Sequence, residues 1–535
     1  MESRGPLRVA VAQVLKALFG LFGRRAPHPA EKPLRDELLS IERLEERARA
    51  LATRFTLNPN PRRAARNVLP RFEDNARVLR EAYITMADDV HRGEFVTPAA
   101  EWLLDNFHLV ASEVLDVRRN LPPGYYRELP KLALRELTGH ARVYALAEEI
   151  IRHSDSRLDR QQLVRFINSF QAVVPLTIGE LWAWPSMLKL ALIENLRRLA
   201  EETLEARAAV RAADAYVARV DASGHGKLPP LPKHLHSGYV LQLLQRLREY
   251  GPRLSVVRAA VDTHLSAQHM ASEDAIRSEH QRQAAAQVSV TNVITSLRLC
   301  SALDWSQYFE AVSLVERVLQ RDPAGAYGSM DFLSRDRYRQ AVEELSEPTG
   351  EAQLDVALRA VERARQAMEN GQAADRAAHV GHHLIGKGRP DLETDVAFRP
   401  RSGQRVRRFI IAHATAVYLG SIGFLTALLL GLGLAYLHDH RASLWVRAVA
   451  ALLLLLPASE VAIAFVQRLA ARWAPPRRLP RLEFPSGISD NARTMVVVPT
   501  LLTSVPVVAR LIEHIEVLAL GNLDPRIHFA ILSDF

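Results

Sequence analysis

The sequence predicts a mainly α-helical chain that carries two transmembrane helices and ends in the first βαβ unit of an α/β domain. Three observations predict this. Apolar residues recur three and four apart almost continuously from Pro33 to Asn370. Two later runs are long and apolar enough to cross a bilayer. The end of the chain then switches to a β-branched run, an amphipathic stretch and a second β-branched run.

Composition sets outer limits. The chain has 535 residues, with 69 Lys plus Arg against 60 Asp plus Glu, a formal charge of +9. Such a balance favours an anionic neighbour without choosing among nucleic acid, lipid head groups and phosphorylated substrates. The charges of the helical region are interspersed with Glu and Asp and no groove-reading motif occurs, so no nucleic-acid partner is expected. A single cysteine, Cys300, excludes an intrachain disulfide framework and a Cys-rich zinc site.

The first segment, 1–32, is amphipathic. Leu7, Val11, Val14, Leu15, Leu18, Phe19 and Phe22 share one helical face, with Arg8, Gln13 and Lys16 opposite. Gln13 and Lys16 interrupt the apolar run and no small-residue cleavage site follows it, which argues against a signal peptide. A helix lying in the membrane plane and a helix packed on the protein itself both fit.

The helical region divides at the linker "GHGKLPPLPKH" into a first part, 33–220, and a second, 221–396. In "TPAAEWLLDNFHLV", Thr97 is placed to cap and Pro98 to occupy the first helical position, with Trp102, Leu103, Phe107 and Val110 turned inward. "LPPGYYRELP" breaks the pattern, and Pro185 should end or kink its helix. Asp304 and Ser334 are expected as helix caps, and Trp305, Phe309, Tyr327, Phe332 and Tyr338 as core aromatics with polar handles rather than a sugar-binding set. His379, His382 and His383 have a spacing that suits a metal, but no acidic or cysteine partner lies beside them, so no metal site is assigned.

The two spans are 409–437, which carries no Asp, Glu, Lys or Arg, and 444–466. Arg399, Arg401, Arg405, Arg407 and Arg408 precede the first, and Arg468, Arg472, Arg477, Arg478 and Arg481 follow the second, which places both long ends in the cytoplasm. Glu460 falls inside the second span, where an unpaired charge costs at least ~2.5 kcal/mol; that marks it as an intramembrane polar site whose partner should sit on another helix. A basic, Pro-rich connector, 467–492, follows and reads as a surface-lying segment.

In the last segment, 493–535, "TMVVVPT" and "IHFAILSDF" read as strands and "VPVVARLIEHIEVLAL" as the helix between them. Parallel strands in such a unit bind ligands beyond their carboxyl ends, here Pro499 to Ser504 and Ser533 to Phe535. Nucleotide-sugar glycosyltransferases of the GT-A-like kind begin in this way.

The phrases "AAEWLLDNFHLV", "LPPGYYRELPKLA", "PLTIGELWAWP", "ITSLRLCSALDWSQYFEAVSLVE", "DPAGAYGSMDFLSRDRYR", "RTMVVVPTLLTS" and "LDPRIHFAILSDF" closely resemble the N-terminal part of the cyclic β-1,2-glucan synthases, over nearly the whole chain from Leu34 onward. The resemblance implies a bacterial inner-membrane protein whose full-length relatives use UDP-glucose and a divalent metal, Mg or Mn, to build and close a β-1,2-glucan. It implies that Thr500, Leu501, Thr503 and Ser504 form the first nucleotide loop and that Asp534 contacts the nucleoside. The metal-binding Asp-x-Asp motif, the general base and the acceptor site of the family are not found in this sequence. It implies no catalytic or metal-ligating residue here, a truncation early in the transferase domain, and an inactive chain that contacts membrane lipid. The rival expectation is a membrane-anchored helical scaffold or regulator with no chemistry of its own.

Overall fold

The computed structural model describes residues 31–59, 67–94, 96–134, 137–223, 229–232, 235–249, 255–266, 271–372, 376–474, 478–484 and 487–533. The amphipathic face expected within 1–32 and Asp534 therefore lie outside the described residues. The chain forms two compact units, divided between Leu314 and Val315.

The first unit is helical. Its elements are α1 (Ile41–Arg54), α2 (Leu69–His91), α3 (Pro98–Asn120), α4 (Pro123–Glu128), α5 (Arg142–His153), α6 (Arg160–Gln171), α7 (Ile178–Ser223), α8 (Ser237–Glu249), α9 (Ser255–Ser266), α10 (Ser272–Ala302) and α11 (Trp305–Val312). The 46 residues of α7 form its axis. At 1.5 Å per residue they reach about 69 Å, and α2, α3, α5, α8 and α10 all pack against them. Thr177 and Glu180 start α7 reciprocally: the Glu180 amide donates to Thr177 Oγ1 at 3.1 Å and the Thr177 amide to Glu180 Oε2 at 2.9 Å. Pro185 neither ends α7 nor interrupts its burial, since Trp184, Met187 and Leu188 are fully enclosed. It lies early in the helix, and packing on several faces outweighs the one main-chain bond that proline removes.

Thr97 caps α3 by accepting from the Ala100 amide, and Pro98 opens the helix, as the sequence predicts. Leu103 and Val110 are buried and Phe107 stacks on Tyr83 at 4.3 Å, but Trp102 turns outward and stays 38% exposed. One residue before Leu103, Trp102 sits about 100° around the axis from the buried stripe. Beyond it, Tyr216, Val217, Tyr239, Val240, Leu243 and Val261 join α7, α8 and α9 in a second cluster of core side chains.

Charge is buried here as well as apolar surface. Glu194, on α7, is 1% exposed and accepts from Arg71 Nε at 3.0 Å, Arg198 Nη2 at 2.9 Å and Arg197 Nη2 at 3.3 Å. Burial alone would raise its pKa, but the guanidiniums hold the carboxyl at about 2. Arg142 and Glu180 form a second enclosed pair, with bonds of 2.6 and 2.8 Å.

The second unit opens with α12 (Leu314–Leu319), which straddles the division, followed by α13 (Phe332–Thr349), α14 (Gln353–Ala367), α15 (Val380–Leu384), α16 (Arg389–Asp395), α17 (Ser402–Ala412), α18 (Ala414–Asp439), α19 (Leu444–Trp473), β1 (Thr494–Pro499), α20 (Val505–Leu520) and β2 (Ile527–Leu532). Asp331 caps α13 through the Ser334 amide at 3.0 Å. Ser334 is therefore not the cap that the sequence suggests: the aspartate three residues earlier accepts from the Ser334 amide, and the Ser334 hydroxyl bonds that carboxylate while its own lone pairs can take another donor. Asp304 does cap α11, accepting from the Ser306 and Gln307 amides.

Helices α18 and α19 are both long and apolar enough to cross a membrane. They pack as a hairpin across a short turn, and their outer surfaces are exposed: no residue of α18 is buried, and of α19 only Ala462 and Val466. The first span predicted from sequence begins five residues before the helix does. The backbone leaves helical geometry at His413 (φ −114°, ψ 34°), so Phe409 to Ala412 belong to the basic helix α17 instead. The second helix runs past 466 to Trp473, its amphipathic last turns adding Arg468 and Arg472.

Candidate functional site

β1 and β2 pair in parallel, from Thr494 opposite Ile527 to Pro499 opposite Leu532, with α20 as the crossover. Their carboxyl ends are tied together: the Thr500 amide donates to the Leu532 carbonyl at 2.9 Å, carrying the ladder one residue past the last strand pair. From there Thr500, Leu501, Thr503 and Ser504 form an open loop, with the Thr503 amide turned back onto the Leu501 carbonyl at 3.0 Å. Ser504 is extended (φ −161°, ψ 154°), and its carbonyl accepts from the Val507 and Val508 amides at 3.1 Å to start α20, while its hydroxyl makes no cap bond. Leu501 is 64% exposed and Val505 82% exposed, so the loop and the start of α20 face outward together. The predicted loop residues are thus adjacent to one another and to the end of β2. Pro506 carries no N–H and the Val507 and Val508 amides are engaged by Ser504, which leaves Val505 as the main-chain donor of the first turn of α20.

The opposite edge is closed. Asp524 accepts from the Ile488 amide at 2.7 Å and the Arg526 amide at 2.8 Å, and these two donors hold its carboxyl below the usual range. Gly487, at φ +87°, lets the chain pass, because a Cβ there would stand 3.0 Å from Asp524 Oδ2.

No protein-family model matches the chain. A curated relative does: the cyclic β-(1,2)-glucan synthase NdvB of Rhizobium meliloti (strain 1021) is 33% identical over 473 residues, which is 87% of this chain. The chain belongs to the cyclic β-(1,2)-glucan synthase family. It spans 17% of that synthase's length.

Glucan synthase resemblance implies a divalent metal, and the described residues do not fit one. No group of three His, Cys, Asp or Glu side chains among them stands together as ligands, and the loop from Thr500 to Ser504 carries no carboxylate. Two of the three histidines have other engagements. His379 Nδ1 meets Asp322 Oδ2 at 2.8 Å and its Nε2 meets the Tyr338 hydroxyl at 3.2 Å, while His383 Nε2 meets the Ala377 carbonyl at 2.9 Å. An ionised carboxylate only accepts, so the proton of His379 sits on Nδ1 and Tyr338 donates to Nε2. Asp322 also accepts from the Ala326, Tyr327 and Val380 amides, and together with His379 these overcome the effect of burial and lower its pKa. The cluster stitches the 322–327 turn to α15. Its acidic member stands 57 residues from the histidine, beyond the reach of spacing arguments.

Glu460 is exposed on α19, about 160° around the axis from Ala462, the residue most enclosed there. Among the described residues it has no ion-pair partner, and α18 does not supply one.

The connector carries the residues that sequence reading missed. Leu482 and Met330 form an antiparallel bridge, with the Asp331 amide donating to the Arg481 carbonyl at 3.0 Å and the Glu483 amide to the Ser329 carbonyl at 2.8 Å. The Arg481 amide donates to Ser334 Oγ at 2.8 Å, and Arg337 Nη1 to the Arg478 carbonyl at 2.6 Å. Segment 478–483 is therefore fastened to the start of α13 rather than lying loose.

Proposed function

We propose that this chain is the membrane-anchored front of a cyclic β-1,2-glucan synthase: a cytoplasmic helical region, a transmembrane hairpin, and the opening βαβ unit of a GT-A-like domain that receives UDP-glucose. One observation carries the reading. The 33% identity extends over 473 residues of a chain whose helices, apolar hairpin and parallel βαβ unit lie in the order that such an enzyme needs. The uncovered apolar surfaces of α18 and α19 support burial in the inner membrane, with the arginines at both ends on the cytoplasmic side.

In this reading the loop from Thr500 to Ser504 and the start of α20 approach the diphosphate, with Asp534 on the nucleoside. Donor binding, however, is only part of glycosyl transfer. A leaving diphosphate must be neutralised and an acceptor hydroxyl deprotonated, and the groups that would do this have to be held together. This chain by itself is therefore inactive. Membranes carrying only this chain, offered radiolabelled UDP-glucose, are expected to leave no β-1,2-glucan; robust product would overturn the reading.

A further inference from the structure

We propose that residues Arg478 to Glu483 are a strap that sets the position of the βαβ unit relative to the helices of its own unit, and that Ser334 and Arg337 are the positioning residues that hold it. The consequence for catalysis rests on the function proposed above; the strap itself does not.

Both ends of α13 are engaged. At its start, main-chain bonds on either side of the Met330–Leu482 pair grip the strap, and two side chains add to them: Ser334 accepts from the Arg481 amide at 2.8 Å, and Arg337 donates to the Arg478 carbonyl at 2.6 Å. Towards its far end, Glu344 accepts from Arg389 at 2.9 Å and Glu347 from Arg401 at 3.0 Å, and Arg401 immediately precedes α17 at the foot of the apolar hairpin. Chain entering the hairpin and chain leaving it towards β1 are thus attached to one helix. A segment without apolar periodicity has no core of its own to hold it, so these bonds decide its place. Ser334, the third residue of the helix that Asp331 caps, bonds the Asp331 carboxylate through its hydroxyl and keeps its lone pairs for a second donor. Its hydroxyl accepts from the strap amide.

For a membrane-bound transferase such a strap matters because the sugar site must stay in register with the path of its product. Misplacement by about 1 Å can cost on the order of a hundredfold in rate.

Two measurements test the strap in the whole chain, in membranes. The first is cross-linking of a Met330→Cys/Leu482→Cys variant. These positions form the non-hydrogen-bonded kind of antiparallel pair, whose Cα atoms stand about 4.5 Å apart, inside the range a disulfide bridges. The native Cys300 is buried, and burial pushes its thiol up to about 12, so it stays silent. Mild oxidation should give an intrachain cross-link; its absence would overturn the proposal. The second is hydrogen exchange at the Arg481 amide, with tryptic cleavage after Arg481. Ser334→Ala should speed both by about tenfold or more, and Ser334→Thr, which keeps the hydroxyl, should restore protection. Equal rates in the unsubstituted chain and Ser334→Ala would overturn the proposal without recourse to the cysteine variant. Neither readout involves glucan, so a strap that cross-links in a chain whose membranes make β-1,2-glucan unaided removes the proposed function and leaves the strap standing.

Discussion

Arg408, in the helix that leads into the apolar hairpin, closes on Glu393 with two guanidinium bonds, Nη2 to Oε1 at 2.6 Å and Nη1 to Oε2 at 2.8 Å. Arg389 Nε adds a third bond to the same carboxylate at 2.8 Å. The arginines before the first span are therefore more than a topological signal, because two of them, Arg401 and Arg408, also fasten the hairpin to the helical layer. Burial would raise the Glu393 pKa, but Arg408 and Arg389 lower it overall. A carboxyl depressed in the fold contributes stability above its unfolded pKa and loses it as pH falls through the folded value. Glu393→Gln should lower the stability of this layer by about 1 kcal/mol at pH 7, a modest effect because solvent screens the half-exposed Arg408. The difference from the unsubstituted chain should vanish in acid unfolding below the usual carboxyl range.

Glu194 should be far less forgiving. It is the shared acceptor of Arg71, Arg197 and Arg198 in the interior of the first unit, so Glu194→Ala removes their common buried carboxylate and leaves only the more exposed Glu31 and Glu201 to face them. The expected loss is about 3–5 kcal/mol, measured by chemical denaturation at pH 7. With the folded pKa at about 2 and the reference at 4.5, the contribution of Glu194 is complete above pH 4.5 and drains away as pH falls towards 2.

Lys131 should show a pH dependence of the same sign in an alkaline window, but for a charge that destabilises the fold rather than one that stabilises it. Its side chain is fully buried, its Nζ donates to the Tyr126 carbonyl and lies 4.0 Å from the centre of the Tyr126 ring, and burial pushes its pKa down to about 8. Between pH 8 and 10.5 the unfolded chain holds the proton more tightly than the folded one, so stability rises with pH through that window. Lys131→Met should raise stability at pH 7 by about 1–3 kcal/mol, and the gain should shrink towards pH 10. A gain that is independent of pH would show that the charge is not the cause.

Gly381 is held by shape rather than by backbone conformation. A Cβ there would overlap the Tyr338 ring, with the Tyr338 hydroxyl at 2.5 Å and His379 Nε2 at 2.7 Å. Gly381→Ala should cost about 1–3 kcal/mol in thermal unfolding by displacing Tyr338 from His379.

Sequence reading succeeded where the signal was local and failed where it was not. Thr97 with Pro98, Asp304, and the bounds of β1 and α20 follow from capping chemistry and periodicity within a few residues. The Thr177–Glu180 reciprocal cap is carried by a T-x-x-E pattern, a local signal of the same kind. Ser334 was misread because two capping residues compete within one turn, and only geometry shows that Asp331 wins. The break at His413 leaves no mark in hydropathy. In the candidate site, the adjacency of Thr500 to the end of β2 was legible from βαβ geometry. The strap was not: its grip is largely main-chain bonds between residues far apart in sequence, as in Asp331 with Arg481 and Glu483 with Ser329, and main-chain bonds are blind to residue type.

The most decisive measurement is glucose incorporation by a chimera in which this chain replaces the matching stretch of the Rhizobium meliloti synthase, in membranes supplied with radiolabelled UDP-glucose. Cyclic β-1,2-glucan should form, and replacing Thr503 and Ser504 together with bulky acidic residues should abolish it while the protein stays folded and inserted. Undiminished synthesis by the loop variant would contradict the assignment of the β1 carboxyl edge to the sugar nucleotide.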